Sequence, residues 1–296
     1  MPSATRDVER SSPVRPVAPA PLPPAETVTP PPATTSVARG LSRWLAPATL
    51  LALVLAGWEA WVRLAGTPRW LLPPPSTIAR TLYSDRALLL SNAWVTLQEV
   101  LLGFALALAA GALLAVAIDA SRVVERTLYP IVVASQTVPI AALAPLLLIW
   151  FGYGLLPKVL VTALVGFFPI TVNGVDGLRA TDREVVDLLR SLGAGRWGVF
   201  RLARLPSALP FVFSGAKVAV AVCVIGAVFG ELVGSSAGLG YLMRRSAGQF
   251  LTARVFACVV LLSLMGIGLF ALLALGERLL LPWRRYATGE RGGSAS

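Results

Sequence analysis

Lys158 follows Pro157 and Lys217 follows Ala216, and these are the only lysines in the chain. A phosphate-cradling loop needs Lys directly after Gly, where backbone amides and the ammonium share the anion. Neither lysine is so placed, so ATP, if used, must be bound by another chain. There is no histidine, which removes the usual general base, the commonest metal ligand and the side chain that titrates nearest neutral pH. Cys223 and Cys258 lie inside apolar runs, without metal-ligand spacing, and are expected to pack. No metal, cofactor or covalent step is expected. Residues that transmit force or line a path remain to carry the function.

The most informative stretch is the basic segment 181–206, lying between two apolar runs. Val185, Leu188, Leu189 and Leu192 recur at helical spacing as an apolar stripe, with Arg183, Glu184, Asp187 and Arg190 on the opposite side. Gly193-Ala194-Gly195 should end this helix, because glycine reaches left-handed backbone angles. Trp197 and Phe200 then begin a second apolar face, and Leu205-Pro206 should close that piece and open the next span. Such a helix pair has three readings: a DNA-binding motif, an inert surface loop or a docking element. Tethering at both ends and the lack of a third helix argue against DNA, whereas the other two share the same amphipathic physics.

The elements that must position this segment are membrane spans. The chain is 56% hydrophobic and only 14% charged, with mean hydropathy +0.73, so lipid is its expected solvent. The +11 net charge fits cytoplasmic loops that collect Lys and Arg rather than nucleic acid. A bilayer core of ~30 Å needs about 20 apolar helical residues. That places six spans near 45–65, 94–118, 127–150, 157–176, 206–233 and 254–276. Three prolines at 73–75 bar a continuing helix after the first span, and a surface helix should begin at Ser76. Residues 1–38 hold ten of the 23 prolines and read as a disordered cytoplasmic tail, with 39–285 the membrane-spanning core and 286–296 a second tail. The first span should serve as the insertion signal.

With the N-terminus inside, Lys and Arg near span ends count 14 inside (Arg39, Arg43, Arg122, Arg126, Arg179, Arg183, Arg190, Arg196, Arg201, Arg204, Arg278, Arg284, Arg285, Arg291). Outside they count 8 (Arg63, Arg69, Arg80, Arg86, Lys158, Arg244, Arg245, Arg254). The asymmetry puts both termini and segment 181–206 in the cytoplasm.

Polar residues at depth are costly, and Gln136, Asn173, Lys217 and Glu231 are candidate pathway residues, with Pro139 marking a bend. Lys217 is expected to snorkel to the inner interface and Glu231 to reach outer water. Pro139 and Pro145 should bend the third span and free backbone groups for a wet cavity. Gly226, Gly230 and Gly234 repeat every four residues, a face for close helix approach, expected within one subunit.

The run Asp187-Leu-Leu, three residues, Gly193, nine residues, Ala203, one residue, Leu205-Pro206 resembles the cytoplasmic signature of permease subunits of binding-protein-dependent ABC importers. That pattern reads Glu-Ala-Ala, three residues, Gly, nine residues, Ile, one residue, Leu-Pro. Gly193, Leu205 and Pro206 match; Asp187, Leu188, Leu189 and Ala203 depart. Leu71–Ser76, Leu143–Gly154 and Ser236–Tyr241 are similar to stretches of the nitrate, sulfonate and taurine branch, and Ser135–Pro139 to relatives importing thiamine pyrimidine precursors or riboflavin. The resemblance covers about Trp44 to Trp283. It implies an all-α, six-span, MetI-like type I importer permease in the bacterial cytoplasmic membrane. It further implies a second permease copy, ABC ATPase subunits and an extracytoplasmic substrate-binding protein as partners. Under it, Glu184, Asp187, Leu188, Leu189, Gly193, Ala194, Trp197, Leu205 and Pro206 form a coupling helix seated on the ATPase.

The rival reading is an ion-coupled secondary transporter with Glu59, Glu231 and Lys217 as coupling charges, which leaves the amphipathic handle unexplained. A membrane enzyme fits less well, because no nucleophile and base are clustered.

Overall fold

The computed structural model describes residues 36–68 and 70–282; the prolines of 1–35, Arg69 and residues 283–296, including Arg284, Arg285 and Arg291, lie outside the described residues. The described residues are helical throughout, without strands. The helices are α1 (Ser36–Leu64), α2 (Pro75–Ser84), α3 (Arg86–Ala120), α4 (Arg122–Ser135), α5 (Ile140–Phe151), α6 (Leu155–Arg179), α7 (Arg183–Ser191) and α8 (Arg196–Val199). A π-turn (Phe200–Arg204), α9 (Leu205–Gly234), α10 (Leu239–Gly248) and α11 (Thr252–Leu280) follow. The chain divides into two units, Met1–Leu51 and Ala52–Ser296. Of the first, the described part is the opening of α1; the second holds everything described below.

Among the described residues five helices are long and apolar enough to cross a membrane, and six spans result if the bent pair α4–α5 counts as one. The bend expected within the third span (127–150) is present and sharp: α4 and α5 meet at 101° across residues 136–139. Pro139 supplies the physical cause, since it lacks an amide proton and its extended backbone (φ −67°, ψ 122°) starts α5. Pro145 stays inside α5. The second span starts earlier than expected, at Arg86, and α10 was not expected from hydropathy.

Helices α3, α6 and α9 form the centre, burying Val100, Ala107, Val161, Ile170, Ala219, Cys223 and Ala227. Small residues let these backbones approach, as close packing in lipid requires. A Cβ on Gly103 would stand 2.4 Å from the Thr162 side chain, and one on Gly215 2.6 Å from the Pro169 carbonyl. The Gly226/Gly230/Gly234 face meets Thr162, Lys158 and Leu148 in turn, so it packs within the subunit as expected. Cys223 and Cys258 are both buried. By contrast α11 exposes Leu264, Ile267, Leu272 and Leu279. A soluble domain would rarely show so large an apolar surface; lipid is its natural cover.

Candidate functional site

Segment 181–206 folds as two helical pieces whose join is set by local chemistry. The Asp182 carboxylate accepts the Glu184 amide at 2.9 Å and caps α7. At the other end Gly193 takes φ +86°. Its amide donates to the Arg190 carbonyl and that of Ala194 to the Leu189 carbonyl, both at 2.9 Å, the paired bonds of a glycine-terminated helix. Gly195 does not share this conformation (φ −72°); one left-handed residue suffices. Leu205-Pro206 does not interrupt the second piece. The π-turn instead carries α8 into α9, with the Leu205 amide donating to the Phe200 carbonyl, and Pro206 sits in the first turn of α9, where no amide donor is needed.

The apolar stripe of the first piece is mostly uncovered. Val186, outside that stripe, is the buried residue of α7, whereas Val185, Leu188 and Leu192 are exposed at 45%, 59% and 75%. Leu189 is half-buried, and Trp197, stacked on Phe200 with centroids 5.5 Å apart, is 71% exposed. Glu184 and Asp187 are exposed too, with Asp187 3.6 Å from Arg190. Ala194 is half-buried. The segment thus presents an apolar patch edged by charge, held on a short, capped scaffold.

Its two ends are tied to the spans. Arg204 Nη1 lies 2.5 Å from Asp119 Oδ2 at the end of α3, and Arg179 pairs with Glu125 of α4 at 2.7 Å.

The candidate pathway residues do not converge. Gln136 and Pro139 are exposed at the α4–α5 break, where Gln136 borders a recess with Ser135, Leu143, Val161 and Leu164. Asn173 is half-buried and donates to the Pro169 carbonyl of its own helix at 2.8 Å. Lys217 is half-buried, and its ammonium lies 2.7 Å from Glu277 of α11. Glu231 does not reach water: it is fully buried, with the Thr96 hydroxyl donating to it at 2.6 Å and the Gly240 amide at 2.5 Å.

Around Glu231 lies a buried polar cluster absent from the sequence reading. Lys158, expected as an outer loop charge, is buried and donates to Glu99 Oε1 and Ser235 Oγ, each at 2.7 Å. Gly238 donates to Asn92 Oδ1 and Leu239 to Thr96 Oγ1, each at 2.8 Å. The cluster ties α3, α6 and α9 to the turn that opens α10. Most of its polar atoms are engaged with one another, as burial demands; Glu99 Oε2 is the exception, buried with no hydrogen-bond partner.

The fold defines a class: a multi-pass membrane protein, all-helical among the described residues. Residues 107–282 match the model of the family described as "Binding-protein-dependent transport system inner membrane component". The formylaminopyrimidine transport permease protein ThiX of Halalkalibacterium halodurans is 41% identical over 241 residues, 81% of this chain and 96% of that protein. The riboflavin transport system permease protein RibX of Chloroflexus aurantiacus is 38% identical, covering 80% of this chain and 89% of its own length. A putative aliphatic sulfonates transport permease protein, SsuC of Bacillus subtilis, is 30% identical, covering 83% and 90%. Among solved structures, an amino acid ABC transporter matches with TM-score 0.52 at 20% identity, over 67% of this chain and 96% of that one. The chain belongs to the binding-protein-dependent inner membrane permease family. It is the transport subunit of an ABC importer, is not itself an enzyme, and works with an ABC ATPase and a substrate-binding protein.

Proposed function

We propose that residues 181–206 are the cytoplasmic coupling segment of this importer subunit, docking on the ATPase through Glu184, Asp187, Leu188, Leu189, Gly193, Ala194 and Trp197, with Leu205 and Pro206 joining it to α9. The observation that carries this reading is the exposure of Leu188, Leu192 and Trp197 on a helix pair otherwise rich in charge. Those side chains stand uncovered and available to a partner, whereas the side of the helix that packs on the protein holds Val186. Both termini are then cytoplasmic, residues 39–285 form the permease domain flanked by tails 1–38 and 286–296, and two copies of the chain enclose the path. Gln136 and Pro139, exposed at the broken span, are the residues favoured to line it, because irregular backbone at membrane depth is tolerated where it faces a wet cavity. Closure of the ATPase pair would move the segments and rock the spans between inward-open and outward-open arrangements.

The cargo we propose is a small nitrogen heteroaromatic, of the formylaminopyrimidine or riboflavin kind. Relatives named for such solutes are 41% and 38% identical, against 30% for the sulfonate permease. Thermal-shift screening of the cognate binding protein checks this, since a specific ligand stabilises by mass action. Stabilisation by aminopyrimidines or flavins is expected; stabilisation by taurine or alkyl sulfonates alone would assign the other class.

Docking is tested by Gly193→Val, which a β-branched residue at φ +86° makes strained, and by Asp187→Arg. Both variants should insert normally yet recover less ATPase on purification or hydrolyse ATP without uptake. Normal recovery and transport by both would make the segment a surface loop.

A further inference from the structure

The docking segment is covalently continuous with α6 and α9 alone. A push on it reaches α3 and α4 through side chains. We propose that the Arg204–Asp119 ion pair is the strut that carries displacement of the docked segment into α3, a transmission role that rests on the docking reading above.

Four observations support it. Arg204 Nη1 and Asp119 Oδ2 are 2.5 Å apart, and their side chains are only 33% and 14% exposed. The companion pair Arg179–Glu125 is wetter, at 44% and 40%, so it is more strongly screened and transmits less. Asp119 also stands in the last turn of α3. There the carbonyl end of the helix disfavours a carboxylate, and helix stability alone would select a cation or a neutral residue. Its place is explained by the cation opposite.

Arg204 closes the π-turn, the one π-helical stretch among the described residues. Such turns recur at functional sites. The pair therefore joins α3 at the point where the docking piece meets the rigid span α9.

Finally, Asp119 is seated on a packed unit. Ala115 and Ile118 of α3 and Val175 of α6 are buried together, with Val124, Leu128 and Tyr129 of α4 against them. Ala203, beside Arg204, is buried as well. Displacing Asp119 moves the end of α3 and the start of α4, and α4 leads directly into the 136–139 break. A two-state element biased from the docking site is what coupling between distant sites requires.

The test uses the complete transporter, permease with ATPase and binding protein, in proteoliposomes. Asp119→Asn, Arg204→Gln and the exchange Asp119→Arg with Arg204→Asp are compared for membrane abundance, ATPase recovery, ATP turnover and uptake. Each single variant should keep abundance and ATPase recovery but lose about tenfold or more in solute moved per ATP hydrolysed; the exchange should restore most of that ratio. If a single variant fails to accumulate, Arg204→Lys, which keeps the charge but not the planar fork, should show a reduced ratio at normal abundance. An unchanged ratio in the single variants, an exchange no better than they are, or loss of ATPase recovery would each overturn the strut. Failure of the docking reading shows separately, as normal ATPase recovery and transport in Gly193→Val and Asp187→Arg.

Discussion

Lys158 Nζ of α6 lies 2.7 Å from Glu99 Oε1 of α3, and the same ammonium donates to Ser235 just beyond α9. One buried cation therefore holds three helices in register. Removing one member of such a pair leaves its partner charged and unmatched, which costs about 3–5 kcal/mol, whereas replacing both by apolar groups of similar volume is often neutral. Lys158→Met should lower the thermal midpoint of the detergent-purified chain sharply, and Lys158→Met with Glu99→Leu should recover at least half of the loss. A single variant as stable as the parent would show that the pair contributes nothing.

Gly238 provides a second test of the same cluster. It has φ +108°, and a Cβ there would stand 2.2 Å from Glu231 Oε1. Gly152 also has positive φ, at +75°, but nothing lies within 4 Å. Gly152→Ala should cost only backbone strain, about 1 kcal/mol. Gly238→Ala adds displacement of a hydrogen-bonded carboxylate and should cost about 2–4 kcal/mol, read as membrane abundance and thermal midpoint. Equal effects would mean that the Glu231 contacts carry no weight.

The spans and the helix pair of segment 181–206 were legible in the sequence because both are written locally. About 20 apolar residues announce a bilayer crossing, and Gly193 after an amphipathic run announces a helix end. Pro139 announced a bend, although its 101° size depends on neighbours. The buried cluster was not legible: Lys158 and Glu99 are 59 residues apart and Glu231 and Thr96 are 135 apart. A lysine at the mouth of a span looks the same whether it faces water or another helix. The same limit hid Glu277 as the partner of Lys217. Periodicity found the apolar stripe of α7 but not which side the protein covers, because Val186 is as apolar as Val185.

Orientation is a further prediction. In a variant lacking Cys223 and Cys258, single cysteines at Ser84 and Ser236, both exposed, should react with an impermeant thiol reagent on intact cells. A cysteine at Ser191, also exposed, should react only after permeabilisation. Labelling of position 191 from outside would invert the topology and remove docking with it.

Contact between the segment and the ATPase is tested most directly by photo-crosslinking. A photoreactive amino acid is placed in turn at Leu188, Leu192, Trp197 and the buried Val186 of the assembled transporter in membranes. Adducts with the ATPase subunit are expected at 188, 192 and 197, with little at 186. Adducts with lipid alone at the three exposed positions would contradict a docking role.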